Sequence, residues 1–424
     1  MAESLKTPRG TRDLLPPETR LWASTEAAFR RVFEAYGYGE IRTPIFEATE
    51  LFVRGIGEHT DIVGKEMYTF LDRKERSLTL RPEGTAPVVR AYLEHALGRG
   101  ESGEAKLYYI GPMFRYERPQ AGRYRQFFQA GVEAIGFDDP LADAECIAML
   151  VAALKEAGLE GLSVDVNSIG CRECRPPYLE MLKAHLRMHL ASLSEESKLR
   201  LELNPLRVMD SKDPKDAEAV DSAPKVTNHL CSACSAHFAA LLRHLERAGV
   251  EHQVNKKLVR GFDYYTRTAF EVLSADLGAQ SAVAGGGRYD HLVEQFSGQS
   301  RPAVGFGVGL DRLIMLLQKK QGDAAAEAAI DVALVTLGAG SHGPAFALMQ
   351  ELRGLGLSAW MDLSRKRGMK NQMKAASAMR ARFALILGED ELAKGEISAK
   401  DMLTGVQSAL PLQGAAAAIK EKLK

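Results

Sequence analysis

The sequence has no excess charge of either sign and no long apolar run. Its 424 residues contain 55 lysines and arginines against 55 aspartates and glutamates, so the formal net charge is zero. A chain of this kind can bind nucleic acid only through local basic patches, and not through a global field. No segment is long and apolar enough to cross a bilayer, and the first residues lack the apolar core of a signal peptide. We therefore expect a cytoplasmic protein without a membrane partner.

Cysteine is scarce, at five residues, and four of the five are grouped. Cys146 lies in an apolar helical run and is predicted to be a small buried residue. The others form two Cys-x-x-Cys pairs, Cys171 with Cys174 and Cys231 with Cys234. In a reducing compartment such pairs favour a structural zinc site over disulfides, provided that both pairs converge in space. Two unrelated pairs of reduced thiols are the alternative.

The chain is longer than a domain with a single hydrophobic core usually is, so two or three domains are expected. Irregular alternation of strands and helices through residue 170 favours a mostly antiparallel sheet flanked by helices. Residues 171–252 are charged, Leu-rich and helical before strands resume, which predicts a helical insertion within a first domain over 1–328. After a polar, alanine-rich linker, alternating β and α segments predict a small α/β domain over 329–424. The predicted fold class is therefore α+β.

Residues 111–133 carry the densest alternation of arginine and aromatic side chains. The members are Arg115, Arg118, Arg123 and Arg125, with Tyr116, Tyr124, Phe127 and Phe128. Arginine captures phosphate in a planar, bidentate way, and aromatic rings offer stacking faces for a base. The pattern predicts two antiparallel strands joined by a loop that contains Pro119 and Gly122. A solvated, cationic hairpin is the alternative for this stretch taken alone.

A second segment, 302–316, contains three alternate glycines and then Asp311 and Arg312 at the start of an apolar helix. Glycine allows a ligand or a backbone to approach closely, and helix N-termini bind anions. A tightly packed strand–helix junction is the alternative for this segment alone.

Together, these two segments resemble motifs 2 and 3 of the class II aminoacyl-tRNA synthetases. The helix and the Pro44-containing strand before them resemble motif 1, the dimer-forming element of that class. The three motifs cover about 17–46, 107–135 and 302–318. The resemblance implies the class II antiparallel sheet, flanked by helices, and a homodimer.

Two further segments, LVRGFDYYTRTAFEV (258–272) and AGGGRYD (284–290), resemble signatures of the histidyl-tRNA synthetases. TLRPEGTAPVVR (79–90) matches the same family, and the resemblance runs from Pro8 to the C-terminus. It implies an enzyme that joins L-histidine to ATP, supplied with Mg²⁺, as histidyl-adenylate and releases pyrophosphate. Histidine is then transferred to the 3′ end of histidine tRNA, and the C-terminal domain would bind the anticodon.

The resemblance also implies a role for individual residues. Arg260 and Arg115 would be catalytic, with Arg260 taking the place of a second metal ion against the α-phosphate. Histidine would be bound by Glu83, Gly84, Thr85, Gln129, Glu133, Arg260, Tyr264, Tyr265 and Tyr289. ATP would be bound by Arg115, Glu117, Arg123, Phe127 and Arg312. The tRNA would be contacted by Arg118 and Gln120 at its acceptor end, and by Arg365, Lys366 and Arg367 near the anticodon.

Three other functions are weighed against this one. A regulatory subunit of ATP phosphoribosyltransferase shares the fold but generally lacks the anticodon domain and the signature arginine, whereas this chain has Arg260 and residues 329–424. A prolyl or threonyl synthetase is disfavoured by RGFDYY and GGGRYD. A generic ATP-dependent enzyme without a tRNA role is the weakest of the three alternatives.

Overall fold

The computed structural model describes residues 5–57, 60–98, 100–101, 103–118, 122–274, 282–321, 330–364 and 367–423. The chain divides into two compact units, Met1–Lys320 and Gln321–Lys424. None of the helices within the described ranges has both the length and the apolar character needed to span a membrane.

The helices of the first unit are α1 (Glu18–Ala35), α2 (Thr49–Ile56), α3 (Thr85–Glu94), α4 (Pro140–Glu156), α5 (Arg175–Met188), α6 (Glu195–Leu203), α7 (Ala217–Ser222), α8 (Ser232–Arg247), α9 (Leu292–Ser297) and α10 (Leu310–Gln321). Its strands are β1 (Gly39–Glu40), β2 (Phe46–Ala48), β3 (Tyr68–Leu71), β4 (Ser77–Leu80), β5 (Ala105–Phe114), β6 (Gln126–Ile135), β7 (Leu162–Ser168), β8 (His252–Val254), β9 (Thr266–Ser274), β10 (Ala282–Arg288) and β11 (Ala303–Gly309).

The main sheet has the strand order β1-β5-β6-β11-β10-β9-β7-β8. All neighbouring pairs are antiparallel except the two outermost, β1 with β5 and β7 with β8. One face is covered by helices whose apolar residues form a shared core, including Phe33 of α1, Leu150 of α4 and Leu313 of α10. The predicted antiparallel sheet with flanking helices is confirmed.

The arginine-rich hairpin is confirmed as two long paired strands, β5 and β6. The strand predicted around Pro44 is instead two short strands in different sheets, since β1 joins the main sheet and β2 joins a small sheet of order β2-β4-β3. Proline has no N–H to donate to a ladder, so the chain changes sheets at that position.

The helical region after β7 contains α5, α6, α7 and α8. Helices α5 to α7 contribute Leu182, Leu201 and Val220 to a second core, which they share with residues of other elements such as Val89 of α3. Helix α8 instead packs on α4 and buries Leu241 and Leu245 in the core beneath the main sheet. The extent of the insertion, 171–252, stays a prediction.

The second unit contains β12 (Val332–Thr336), α11 (His342–Gly354), β13 (Ala359–Met361), α12 (Met369–Ala378), β14 (Phe383–Leu387), α13 (Glu389–Lys394), β15 (Glu396–Asp401), β16 (Gln407–Pro411) and α14 (Ala415–Lys422). Strand β12 is parallel to β13 and β14, while β14, β15 and β16 form an antiparallel meander. The core includes Leu348 of α11 and Ile419 of α14. The predicted α/β character of this unit is confirmed.

Candidate functional site

A cavity of about 500 Å³ lies on the main sheet of the first unit. It is bounded by β5, β6, β10, β11, the start of α3 and the segment before β9. The site residues predicted from the sequence that line it are Glu83, Thr85, Arg115, Glu117, Arg123, Phe127, Gln129, Arg260, Tyr264, Tyr265, Tyr289 and Arg312. Residues scattered over about half the chain therefore meet in one place.

Glu133 is a buried carboxyl group next to this cavity. Its Oε1 accepts a hydrogen bond from Thr85 Oγ1 at 2.8 Å, and its Oε2 accepts one from the hydroxyl of Tyr289. Burial raises the pKa of Glu133 to about 8, and the nearby Glu83 pushes it in the same direction. The carboxyl is thus held in place by two hydroxyls and can hold or release a proton near neutral pH.

Glycines of β11 make room for the polar side chains of β6. Gly305 is paired with Glu133 across the two strands, and a Cβ on Gly305 would overlap the Glu133 carboxylate. A Cβ on Gly307 would likewise overlap the amide of Gln129. The alternate glycines seen in the sequence therefore form a flat floor on which these two side chains lie.

Gln129 offers an unused acceptor to the cavity. Its Oε1 is buried and has no hydrogen-bond partner among the described residues. A buried amide oxygen without a partner carries a desolvation cost, which a ligand that donates a hydrogen bond would remove.

Glu83 caps helix α3. Its two carboxylate oxygens accept hydrogen bonds from the backbone N–H groups of Thr85 at 2.7 Å and Ala86 at 2.8 Å. Burial raises the pKa of Glu83, and these N–H groups oppose that effect. Gly84 lies against the ring of Tyr109, which leaves no space for a Cβ.

Arg115 directly follows β5, and Phe127 lies near the start of the paired strand β6. Arg115 donates a hydrogen bond through Nε to the Pro82 carbonyl at 2.8 Å, and its Cζ lies 5.2 Å from the centre of the Phe127 ring. Glu117 lies between Arg115 and Arg123, with nitrogen–oxygen distances of 3.8 and 3.9 Å. This end of the cavity offers two guanidinium groups, a carboxylate and an aromatic face.

Arg260 reaches the cavity from the segment before β9. Its Nη1 lies 2.5 Å from Oε1 of Glu271, and its guanidinium lies over Gly285, where a Cβ would be 2.6 Å from Nη1. The Nε of Arg260 is buried and has no partner among the described residues. Burial raises the pKa of Glu271, while Arg260 counteracts this. The sequence pattern had given no signal for Glu271.

Arg312 enters the cavity from the first turn of α10. Burial lowers its pKa, and the positive charge of Arg123 adds to this. Its neighbour Asp311 accepts hydrogen bonds from the Phe128 N–H at 2.8 Å and from Arg12 Nη2 at 3.3 Å. Arg12 was not predicted to belong to the site, because its partner is distant in sequence.

The four paired cysteines converge in space. Their Sγ atoms all lie within 4.8 Å of one another, and Cys171 Sγ is 3.8 Å from the Sγ atoms of both Cys174 and Cys231. Burial by itself would raise the pKa of Cys171, but hydrogen bonds from the backbone and neighbouring thiols lower it to about 7. The cluster, which also contains Cys234, is separate from the residues that line the cavity.

Arg118 and Arg367 are the two predicted tRNA contacts that the structure describes, and both lie at the surface. Arg118 is exposed in the loop after β5. Arg367 is exposed in the second unit and lines a cavity of about 320 Å³ together with Arg353 and Trp360. The predictions for Gln120, Arg365 and Lys366 fall outside the described residues.

Two family models match the chain in sequence. The one described as histidyl-tRNA synthetase matches residues 10–313, and the one described as anticodon binding domain matches residues 331–422. Together they cover both compact units.

Curated proteins and solved structures match over nearly the whole length. A histidine–tRNA ligase of Desulfitobacterium hafniense is 49% identical over 410 residues, which are 97% of this chain and 96% of that protein. The histidine–tRNA ligase of Moorella thermoacetica is 50% identical over 405 residues, 96% of this chain and 95% of that protein. The crystal structure of apo histidyl-tRNA synthetase from S. aureus superposes with a TM-score of 0.81 at 36% identity, covering 98% of this chain and 100% of that one.

Proposed function

The chain belongs to the histidyl-tRNA synthetase family, and from that premise we propose how its cavity performs histidine–tRNA ligation. In that reaction L-histidine and ATP, supplied as its Mg²⁺ complex, form histidyl-adenylate and pyrophosphate. Histidine then passes to the 3′ end of histidine tRNA. The observation that carries the assignment is the carboxyl of Glu133, held by Thr85 and Tyr289 beside a cavity lined with arginines.

The imidazole ring of histidine binds at the Glu133 end. A neutral imidazole has one donor and one acceptor nitrogen, so it needs an acceptor and a donor opposite each other. Glu133 accepts a hydrogen bond from one imidazole nitrogen, and the hydroxyl of Tyr264 donates one to the other. A site built from such pairs rejects an apolar isostere strongly, because its buried polar groups would be left without partners.

The α-amino group of histidine binds to the other polar groups at the Glu133 end of the cavity. Glu83, Thr85 and Gln129 offer oxygen acceptors, and the Gln129 Oε1 has no other described partner. Tyr265 forms the wall of the pocket beside Arg260, whose Cζ lies 5.7 Å from the centre of its ring.

ATP binds toward the far end of β6. Phe127 and Glu133 are six residues apart on one strand, which separates them by about 20 Å at ~3.3 Å per residue. Adenine stacks on Phe127 with Glu117 beside it, Arg115 contacts the α-phosphate, and Arg123 and Arg312 contact the distal phosphates. Two or more guanidinium groups on different elements hold the triphosphate in a bent form.

Arg260 acts on the α-phosphate between these two ends. A carboxylate oxygen of histidine attacks the α-phosphorus, the bond to the bridging oxygen breaks, and pyrophosphate leaves. Negative charge grows on the equatorial oxygens in the transition state, and a fixed guanidinium stabilises it there. Catalysis then depends on positioning and charge, without a side-chain nucleophile.

An exchange assay tests the substrate assignment. Exchange of labelled pyrophosphate into ATP should require L-histidine and stay at background with each of the other amino acids, histidinol or imidazole alone. Exchange that is indifferent to histidine would refute the assignment of the cavity.

We further propose that the four cysteines hold a structural Zn²⁺ ion. A tetrahedral zinc with Zn–S bonds of ~2.3 Å places its sulfurs about 3.8 Å apart, the distance observed from Cys171 Sγ to two of the other sulfurs. The ion would join the start of α5 to the start of α8 and would not take part in the reaction. A thiolate site fits the reducing environment of the cytoplasm, which is the location we propose.

We also propose that two copies of the chain form a dimer through the small sheet. Ile45, Phe46, Phe70 and Leu71 are 43–65% exposed there, and the rings of Phe46 and Phe70 are 6.3 Å apart. A contiguous exposed apolar patch favours a protein interface, and this one coincides with the motif 1 region. The partner we assign to it is a second copy of the chain.

The tRNA contacts extend over both units in this proposal. Arg118 reads the acceptor end, where a guanidinium can bind guanine in a bidentate manner. Arg367 contacts phosphate near the anticodon, and Gln120, Arg365 and Lys366 are assigned with these two from the sequence alone.

A further inference from the structure

Arg175 connects the cysteine cluster to the wall of the histidine pocket. It follows Cys174 directly and begins helix α5. Its guanidinium donates hydrogen bonds to three backbone carbonyls, those of Ile169 at 3.1 Å, Gly170 at 3.1 Å and Tyr265 at 2.6 Å. One side chain therefore binds two chain segments that are almost a hundred residues apart.

The backbone on the other side of Tyr265 is also fixed. Arg267 donates its N–H to the Gly170 carbonyl at 2.8 Å, and the Ile169 N–H donates to the Arg267 carbonyl at 2.7 Å. The φ angle of Arg267 is 46°, in the left-handed region. Non-glycine residues adopt this conformation only where surrounding contacts hold it. The end of β7 and the segment that enters β9 are thus held in one register.

The side chain of Tyr265 depends on this register. Its ring centre lies 4.7 Å from that of Tyr264 and 5.7 Å from Cζ of Arg260. On its other side, a Cβ on Gly287 would come within 2.9 Å of the ring. A shift of the Tyr265 backbone would therefore move the ring relative to Arg260 and Tyr264 and change the wall of the cavity that Tyr265 lines.

We propose that Arg175 is a positioning residue for histidine binding, acting through the Tyr265 carbonyl. The inference rests on the proposed role of Tyr265 as the wall of the histidine site. Arg175 itself does not line the cavity and touches no substrate. Its contribution is to fix the wall of the pocket before the substrate arrives.

A guanidinium suits this task and an ammonium does not. The planar fork of arginine directs several N–H donors in fixed directions, and Arg175 uses Nε for Ile169 and Nη2 for Gly170 and Tyr265. A lysine retains the charge but is a point donor on a flexible stem, so it cannot reproduce this set of contacts.

The test compares Arg175→Lys with Arg172→Lys. Arg172 lies between Cys171 and Cys174, but its side chain is 60% exposed and pairs with Glu294 at the surface. Pyrophosphate exchange is measured for each variant with histidine varied at saturating ATP, and with ATP varied at saturating histidine. We expect Arg175→Lys to raise the KM for histidine ~10-fold, about the effect of one lost hydrogen bond, with the KM for ATP within twofold of wild type. Arg172→Lys should change neither constant.

Bound metal and histidine affinity are measured on the same samples. Equal metal content in Arg175→Lys and wild type, with weaker histidine binding by calorimetry, supports the inference. An unchanged KM for histidine overturns it, and so does a parallel rise in both KM values, because that indicates a general loss of structure. If Arg175→Lys is insoluble, Arg175→Gln is measured in the same way.

Tyr265→Ala separates this inference from the proposed histidine site. If Tyr265→Ala raises the KM for histidine and Arg175→Lys does not, the positioning role of Arg175 is refuted while the histidine site stands. If Tyr265→Ala has no effect either, the assignment of Tyr265 fails and the role of Arg175 fails with it.

Discussion

At the scale of single residues, the pocket depends on carboxyl groups whose ionisation is shifted by burial. Glu133 has only the hydroxyls of Thr85 and Tyr289 as described hydrogen-bond partners, and Glu83 adds negative charge nearby. Two carboxyl groups in one buried site disfavour the ionised form of each. Burial and the neighbouring carboxyl group therefore both favour the protonated form of Glu133.

The shifted pKa of Glu133 predicts how stability depends on pH. Its pKa is about 8 in the folded protein against 4.5 ordinarily, so the folded state binds more protons between these values. The free energy of unfolding should then fall as pH rises from 4.5 to 8, by up to about 1.4 kcal/mol per pH unit from this group. Glu133→Gln removes the dependence, so its stability relative to wild type should increase between pH 5 and pH 8.

Urea denaturation without substrates, at pH 5, 6.5 and 8, checks this expectation. Glu145→Gln, a partly exposed carboxyl that pairs with Lys106, is the control and should keep the wild-type slope. A stability difference between Glu133→Gln and wild type that stays constant with pH would contradict the burial argument.

At the scale of elements, β6 and β11 form the floor of the site together. Gly305 is paired with Glu133, and Gly307 is paired with Gly131 but lies against the amide of Gln129. The absence of side chains at these two glycines lets the polar groups lie flat. Gly309 is on the same strand, but a Cβ there would meet nothing within 4 Å.

Substitutions along β11 should therefore have unequal effects. Gly305→Ala displaces the Glu133 carboxylate and should raise the KM for histidine ~100-fold, the scale expected when a buried polar contact is lost. Gly309→Ala should leave the KM for histidine within a few-fold of wild type. Equal effects of the two substitutions on pyrophosphate exchange would show that the floor has no special role.

The sequence predicted the hairpin, the glycine-rich strand and most of the residues that line the cavity. These features could be predicted because they follow from the local alternation of residue types and from the spacing of the motifs. It gave no signal for Arg12 or Arg175, whose partners are set by tertiary packing. Arg12 contacts Asp311, 299 positions away, and Arg175 contacts the carbonyl of Tyr265, 90 positions away. Backbone acceptors leave no residue pattern, so such contacts become visible only in the folded structure. The strand around Pro44 was predicted as one element because the pattern did not reveal that the chain changes sheets there.

At the scale of elements, the cysteine cluster also predicts that the protein binds zinc. The protein purified without chelator should contain about one equivalent of zinc per chain, and Cys231→Ser should lose it. Cys146→Ser is the control, since Cys146 is a buried residue of α4 and does not belong to the cluster. Elemental analysis that finds no zinc in the wild-type protein would refute the zinc site.

At the scale of the whole molecule, the exposed apolar patch on the small sheet predicts a dimer. Phe46→Glu combined with Phe70→Glu places two charges in the exposed apolar patch and should convert a dimer into a monomer in sedimentation experiments. Leu403→Glu is the control, because Leu403 is 73% exposed in the second unit and outside this patch. Wild-type protein that sediments as a monomer at micromolar concentration would contradict the dimer.

The most direct test of the account is the rate of adenylate formation by Arg260→Ala. Loss of one charge-stabilising donor costs ~10²–10³ in rate, so pyrophosphate exchange should fall by that factor while the dissociation constant for histidine, from calorimetry, stays within a few-fold. Arg260→Lys retains the charge without the planar fork and should recover only part of the rate. An exchange rate near wild type in Arg260→Ala would contradict the catalytic role assigned to Arg260.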